Sequence, residues 1–269
     1  MKPAEELYIS LVQTSVYWES PAENRSRFEA LLEGVGETDL IVLPEMFSTG
    51  FSMKPEELSE PMEGPSMKWM QEQAHQHQAV ITGSLIIQDE GRFFNRLIWM
   101  RPNGSYDFYD KRHLFSFAQE EEHYTAGKHR LVVDLNGWRV CPLVCYDLRF
   151  PGWVRNQALD HTSSDPVYDL LIFVANWPAA RSSAWTNLLE ARAHENQSYV
   201  AGVNRIGKDG NGIPHSGNSL LIDPKGTIIS DIEANQESVR TYTLSYAQLE
   251  SFRAKFTAWK DADNLSLRR

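Results

Sequence analysis

Asp169-Leu170-Leu171-Ile172-Phe173-Val174-Ala175 is apolar from its second residue to its last. An unbroken apolar run of this length reads as a strand buried on both faces, the kind found in sheets covered by helices. Downstream, Trp185, Leu188, Leu189 and Ala193 lie at helical spacing and predict a helix over 181–197, with one apolar face. A further strand is expected over 199–203. Strand, helix, strand is the rhythm of a layered α/β protein.

The same rhythm runs upstream. A β-prone run covers 7–16, and Ser20-Pro21-Ala22-Glu23 is a helix start with Ser20 as N-cap and Pro21 at the first helical position. Phe28, Leu31, Leu32 and Val35 continue that helix as an apolar face. Strands are expected over 39–43 and 79–87, with a helix from Ser66 into the seventies between them. Two hairpins follow, one turning at Pro102-Asn103-Gly104 and one at Asn136-Gly137, the strongest short hairpin signal in the chain. Strands over 219–222 and 239–244 complete an α/β protein with mixed sheets. No repeat or Pro/Gly/Ser-rich linker interrupts it, so a single domain is expected over 1–269. Its amphipathic tail begins at about 245, with Phe252, Phe256 and Trp259 as anchors.

Composition narrows the function classes. Of 269 residues 42% are hydrophobic and 11% aromatic, which excludes a disordered chain. Lys and Arg number 26 against 36 Asp and Glu, a net charge of −10 that argues against a nucleic-acid binder. No apolar span reaches membrane length, and the amino terminus turns acidic at once, unlike a signal peptide. The two cysteines, Cys141 and Cys145, are too few for a secreted disulfide scaffold, so a cytoplasmic protein is expected. His75 and His77 are two apart on a helix and do not face each other, and His194-Glu195 lacks a second histidine. No metal and no cofactor are expected. The stretch from Gly202 to Asp209 nearly spells a phosphate loop, but ends in Asp209 where a hydroxyl is needed.

Three residues stand at strand ends, where α/β proteins place chemistry. Glu45 follows the strand over 39–43, and is otherwise a solvated loop carboxylate. Lys111 follows the strand near 106–109, and is otherwise a surface lysine. Cys145 closes an apolar strand and opens a turn that exposes a thiol to a cleft, or is otherwise an inert core thiol. Cys141 lies four residues earlier on that strand, about 13 Å away and too far for a disulfide, and reads as core.

Taken together, Pro44-Glu45, Lys111 and Cys145-Tyr146-Asp147-Leu148-Arg149-Phe150-Pro151 resemble the three signature segments of the nitrilase superfamily of carbon–nitrogen hydrolases. The resemblance continues through Ala175-Asn176-Trp177-Pro178, Arg181 to Trp185 and Glu190 to Asn196, and covers nearly the whole chain. It implies a four-layer α-β-β-α sandwich, two mixed sheets flanked by helices, and a homodimer. A second family glutamate precedes a turn by seven residues. With the turn at Ala126-Gly127, Glu120 is the best match, though Glu121 and Glu122 adjoin it. Tyr146-Asp147 replaces the Trp-Glu of true nitrilases, and the Cys-Tyr-Asp-x-Arg-Phe-Pro form is similar to the omega-amidase branch.

That branch hydrolyses the terminal amide of 2-oxoglutaramate and 2-oxosuccinamate. The resemblance implies Cys145 as nucleophile forming a thioester, Glu45 as proton shuttle, and Lys111 favouring thiolate and holding the oxyanion. Glu120 would position Lys111, and the backbone N–H of Tyr146 would be the second oxyanion donor. Arg149 is expected either to clamp the substrate carboxylate or to serve as a structural ion-pair partner. Trp177 and Phe51 form a wall over a short substrate or are core. The alternatives are a related hydrolase of an N-carbamoyl amine or deaminated glutathione, a true nitrilase, and a non-catalytic binding protein on the same fold. The roughly ten residues after Leu114 form either a lid over the site or an ordinary surface loop.

Overall fold

The structure, a computed structural model, describes residues 2–157 and 165–263. The rest of the expected 1–269 domain, including the end of its tail, lies outside the described residues. The first half runs β1 (Glu6–Gln13), α1 (Pro21–Leu32), β2 (Leu40–Val42), α2 (Pro55–Leu58), α3 (Pro65–His77), β3 (Val80–Asp89), β4 (Arg92–Met100) and β5 (Tyr106–Asp110). A short α4 (Glu120–His123) leads to β6 (Val133–Leu135), β7 (Trp138–Val144), α5 (Pro151–Val154), β8 (Leu170–Ala175), α6 (Ser182–Asn196) and β9 (Tyr199–Asn204). Then come β10 (Ile206–Lys208), β11 (Pro214–Ser216), β12 (Leu220–Ile222), β13 (Ser238–Ser245) and α7 (Tyr246–Lys255).

Two mixed sheets result, a six-stranded one ordered β13-β1-β2-β3-β4-β5 and a five-stranded one ordered β12-β9-β8-β7-β6. Each has parallel strands at its centre and antiparallel ones at its edges. The Asn136-Gly137 turn joins β6 to β7 with both residues at positive φ, 53° and 84°. That twist matches the flanking strands and sets the register at Leu135 opposite Trp138.

Side-chain alternation assigns the layers. Leu7, Ile9, Leu11, Leu40 and Val42 pack between the sheets against strand residues such as Val140 and Leu143. Val12 and Ile41 point the other way, onto Phe28 and Leu32 of α1 and Met67, Met70 and Ala74 of α3. Beyond the second sheet, α6 lies so close to β9 that a Cβ on Gly202 would come within 2.5 Å of Leu189. The order is therefore α-β-β-α, as the resemblance implied.

Two local expectations are corrected. Ser20 occupies the N-cap of α1 but its side chain makes no capping bond. Asn24 secures the entry instead: its Oδ1 accepts the Tyr17 N–H, and its Nδ2 donates to the Tyr17 and Ser48 carbonyls, each at 2.7 Å. In the tail, Phe256 is exposed and Phe252 and Trp259 are only partly covered. The anchors are buried Leu249 and Arg253, whose guanidinium donates to Asp169 and to the Tyr168 and Gln197 carbonyls. A charged fork satisfies three acceptors at once, which an aromatic ring cannot.

Candidate active site

Strands of both sheets end at one edge of the sandwich, and the residues just past those ends converge. Glu45 follows β2 by three residues, Lys111 follows β5 directly, Cys145 follows β7 and Asn176 follows β8. Glu45, Lys111 and Cys145 line a cavity of about 710 Å³ together with Phe51, Phe115, Tyr146, Arg149, Asn176, Trp177 and Arg181.

The turn after β2 is shaped by Met46, at φ 43°, whose N–H donates to Ser84 Oγ at 2.8 Å. That turn buries the Glu45 side chain completely. Glu45 Oε1 accepts hydrogen bonds from Lys111 Nζ at 2.9 Å and Asn95 Nδ2 at 2.8 Å, and Oε2 accepts the Asn176 N–H at 2.8 Å. Lys111 is equally buried. Its ammonium also donates to Glu120 Oε1 at 3.0 Å and Oε2 at 2.9 Å, so all three of its protons face carboxylate oxygens. The chain after Lys111 is held by Gly127, whose N–H donates to the Lys111 carbonyl at 2.9 Å. A Cβ on Gly127 would lie 2.0 Å from the Asp110 carbonyl oxygen, so only glycine allows that approach.

Among the three adjacent glutamates, Glu120 is buried and reaches Lys111, whereas Glu121 and Glu122 are exposed. Glu120 Oε2 also accepts the Phe115 N–H at 2.6 Å, which ties the segment after Leu114 to the site. Phe115, Phe117 and Ala118 of that segment form part of the cavity wall. The Phe51 ring stands 5.0 Å from Lys111 Nζ, and the buried Trp177 lies under the Arg149 guanidinium, 4.8 Å away. Among the described residues Arg149 forms no ion pair and lies on the Trp177 ring.

Cys145 sits at φ 44°, a left-handed backbone that costs a non-glycine residue about 1–2 kcal/mol. The turn lifts its side chain off the end of β7 toward the cavity. Burial, and then the Glu45 carboxylate, push the Cys145 thiol well above the ordinary thiol range, and Lys111 only partly opposes them. Burial alone would lower the Lys111 pKa, but Glu120 and Glu45 outweigh it and hold the ammonium above the ordinary lysine range. Lys111 thus directs its three N–H donors to carboxylate oxygens, and burial beside Glu45 favours the protonated form of the thiol. Burial raises Glu120 as well, against the pull of Lys111 and with the help of the Glu45 charge.

Three further residues hold the site, of which Asn176 and Asp147 stand in the family-like segments without an assigned role and Asn95 lies outside them. Asn95 donates to both Glu45 Oε1 and Glu120 Oε1, the latter at 3.2 Å. A lone amide in the apolar strand from Phe93 to Met100 was its signal. Asn176 holds Glu45 through its backbone N–H and, at 2.5 Å, through Nδ2 to the Glu45 carbonyl. Asp147 is buried beneath the nucleophile turn. Among the described residues no group of three or more His, Cys, Asp and Glu side chains is placed to share a metal ion, and no helix is long and apolar enough to cross a membrane.

Comparison with known proteins places this site in context. Residues 8–254 match the carbon-nitrogen hydrolase family. Omega-amidase YafV of Escherichia coli K12 is 47% identical over 261 residues, covering 97% of this chain and 98% of that protein. 2-Oxoglutaramate amidase of Bacillus subtilis is 31% identical over 227 residues, covering 83% of this chain and 85% of its own. Among solved structures, XC1258 from Xanthomonas campestris, a CN-hydrolase superfamily protein with an arsenic adduct in its active site, superposes with a TM-score of 0.95. It is 46% identical over 98% of this chain and 100% of its own.

Proposed function

This chain belongs to the carbon–nitrogen hydrolase family, and on that footing we propose that it hydrolyses the terminal amide of short 2-oxo dicarboxylate monoamides such as 2-oxoglutaramate. The products are the 2-oxo dicarboxylate and ammonia. The observation that carries the reading is the buried Glu45–Lys111–Glu120 network beside Cys145, in a cavity whose wall includes arginines suited to a substrate carboxylate.

In this mechanism Glu45 takes the thiol proton as sulfur attacks the amide carbon. Protonation makes Glu45 a poorer acceptor, which frees one Lys111 N–H for the developing oxyanion at the moment it is needed. The Tyr146 backbone N–H, in the first turn of a 3-10 helix over Cys145–Arg149 where no intrahelical acceptor exists, is the second donor. Glu45 then protonates the leaving nitrogen, ammonia departs, and a thioester remains on Cys145. Water, deprotonated by Glu45, attacks the thioester carbon; the C–S bond breaks, the 2-oxo dicarboxylate leaves, and Glu45 returns the proton to sulfur. Glu120 and Asn95 hold Lys111 and Glu45 in place throughout. The same reading includes cytoplasmic location and pairing into a homodimer, which light scattering on the purified protein measures.

The test is ammonia release from 2-oxoglutaramate, 2-oxosuccinamate, glutamine, an N-carbamoyl amine, deaminated glutathione and a simple nitrile, with Cys145→Ala as blank. The two oxo-amides are expected to lead in kcat/KM by tenfold or more, a transition-state preference of about 1.4 kcal/mol. Another leading substrate would overturn the substrate assignment, and a fully active Cys145→Ala would overturn the mechanism.

A further inference from the structure

Two arginines, Arg149 and Arg181, face the cavity with their charges uncommitted among the described residues. The Arg149 guanidinium lies 4.8 Å from the Trp177 ring centroid, and the Arg181 guanidinium 5.3 Å from that of Phe115. Among the described residues neither side chain enters an ion pair or donates a hydrogen bond, and both line the cavity. Other arginines of the chain are engaged: Arg96 with Asp110 and Asp89, Arg139 and Arg253 with Asp169, Arg192 with Glu195. A guanidinium lying on a ring is fixed in orientation while its edge N–H groups stay available for an anion.

The remaining charges on the rim are already matched. Lys54 pairs with Glu19 at 2.9 Å, and Glu19 also accepts from Ser52. Asp209 Oδ1 accepts the Asn211 and Ile213 N–H groups. Among the described residues the cavity therefore offers two cations outside any ion pair and the buried Lys111, with the rim carboxylates Glu19 and Asp209 engaged. Phe115, the platform of Arg181, is itself fixed by its N–H bond to Glu120.

We infer that Arg181, assisted by Arg149, anchors the substrate carboxylate and selects 2-oxo acid amides against amino acid amides. This inference rests on the reading of the site as a 2-oxo-amide hydrolase. A carboxylate meets the planar fork of Arg181 in bidentate geometry. An amino acid amide of the same length brings an α-ammonium into the same region, where two guanidiniums repel it and the described rim carboxylates, Glu19 and Asp209, are already engaged. A 2-oxo group there is uncharged and accepts a guanidinium N–H. Arg181 is thus a specificity-determining residue, and the discrimination appears in KM.

The experiment compares wild type with Arg181→Gln and Arg181→Lys on 2-oxoglutaramate and glutamine, and measures 2-oxopentanoate binding to each in a Cys145→Ala background by calorimetry. The ratio of kcat/KM for oxo-amide over glutamine is expected to fall at least 30-fold in Arg181→Gln, mainly through KM. Arg181→Lys should recover part of it, since charge returns without the fork. The expected 2-oxopentanoate affinity falls in parallel. A ratio within threefold of wild type, or a loss confined to kcat, overturns the inference while hydrolysis by wild type stands. Conversely, Arg181-dependent binding of 2-oxopentanoate in an enzyme that leaves 2-oxoglutaramate intact overturns the hydrolase reading and supports the anion subsite.

Discussion

The Asp147 carboxylate accepts the backbone N–H of His113 at 3.0 Å, so the residue two beyond Cys145 grips the residue two beyond Lys111. The same carboxylate accepts His113 Nδ1 at 2.7 Å, the Tyr109 hydroxyl at 2.8 Å and the Val144 N–H at 3.2 Å. Tyr109 and His113 flank Lys111 at the end of β5 in one sheet. Val144 and Asp147 flank Cys145 at the end of β7 in the other. One buried carboxylate therefore sets the spacing between ammonium and sulfur.

Replacing Asp147 by Ala leaves those donors unmatched in the interior. Stability is expected to fall by about 3 kcal/mol, read by urea denaturation. Turnover should fall more steeply than KM changes, because the loss is one of alignment between Lys111 and Cys145 rather than of substrate contact.

Asn95→Ala removes the neutral donor shared by Glu45 and Glu120. The two carboxylates then lose a common partner, and Glu45 loses a constraint on its orientation. The expected result is a kcat lower by about 10- to 100-fold with the fold intact, measured by steady-state ammonia release and thermal melting.

Cys145→Gly and Cys145→Ala should both be inactive yet differ in stability. At φ 44° an alanine keeps the left-handed strain and a glycine does not. The glycine variant is expected to be more stable than the alanine variant by about 1 kcal/mol, net of its larger unfolded-state entropy, in paired denaturation curves. Equal stabilities would mean that the turn stores no strain.

His215 lines the cavity in a buried setting, and burial followed by the Arg205 charge lowers its pKa to about 4. In the unfolded chain it takes a proton at about 6.5. Between those values the unfolded state binds more protons, so stability from neutral His215 is present above pH 6.5 and lost as pH falls through 4. The loss is on the order of 3 kcal/mol. A His215→Gln variant should show a flatter stability–pH curve over that window.

Much of this was legible in the chain itself. The apolar run from Leu170 to Ala175, the helical spacing of Trp185, Leu189 and Ala193, and the Asn136-Gly137 turn specify their elements through local backbone preference and burial periodicity, which need no distant partner. Glu45, Lys111 and Cys145 were likewise visible as polar residues at strand ends in recognisable surroundings. Local patterning was weaker where one residue had to be chosen from several of the same kind. Glu120, Glu121 and Glu122 are chemically identical, and only the path of the turn buries the first of them. The tail differs for a related reason: Phe256 has the right chemistry, but it lies just past the end of α7 in solvent, while α7 presents Arg253 to Asp169.

The sequence by itself determined the elements, their α/β order and the three residue types on which the chemistry turns. The tertiary structure alone decided which groups surround Glu45, Lys111 and Cys145 and in which direction they shift one another's proton affinity. Asn95, Glu120 and Asn176 are far apart along the chain and act on Glu45 and Lys111 through contacts of about 3 Å. Electrostatic interaction in a buried site depends on distance and desolvation, neither of which is a property of neighbouring residues in sequence. The raised proton affinity of the Cys145 thiol, the Lys111 ammonium held between Glu45 and Glu120, and the stacking of Arg149 and Arg181 on cavity aromatics are all products of that assembled geometry.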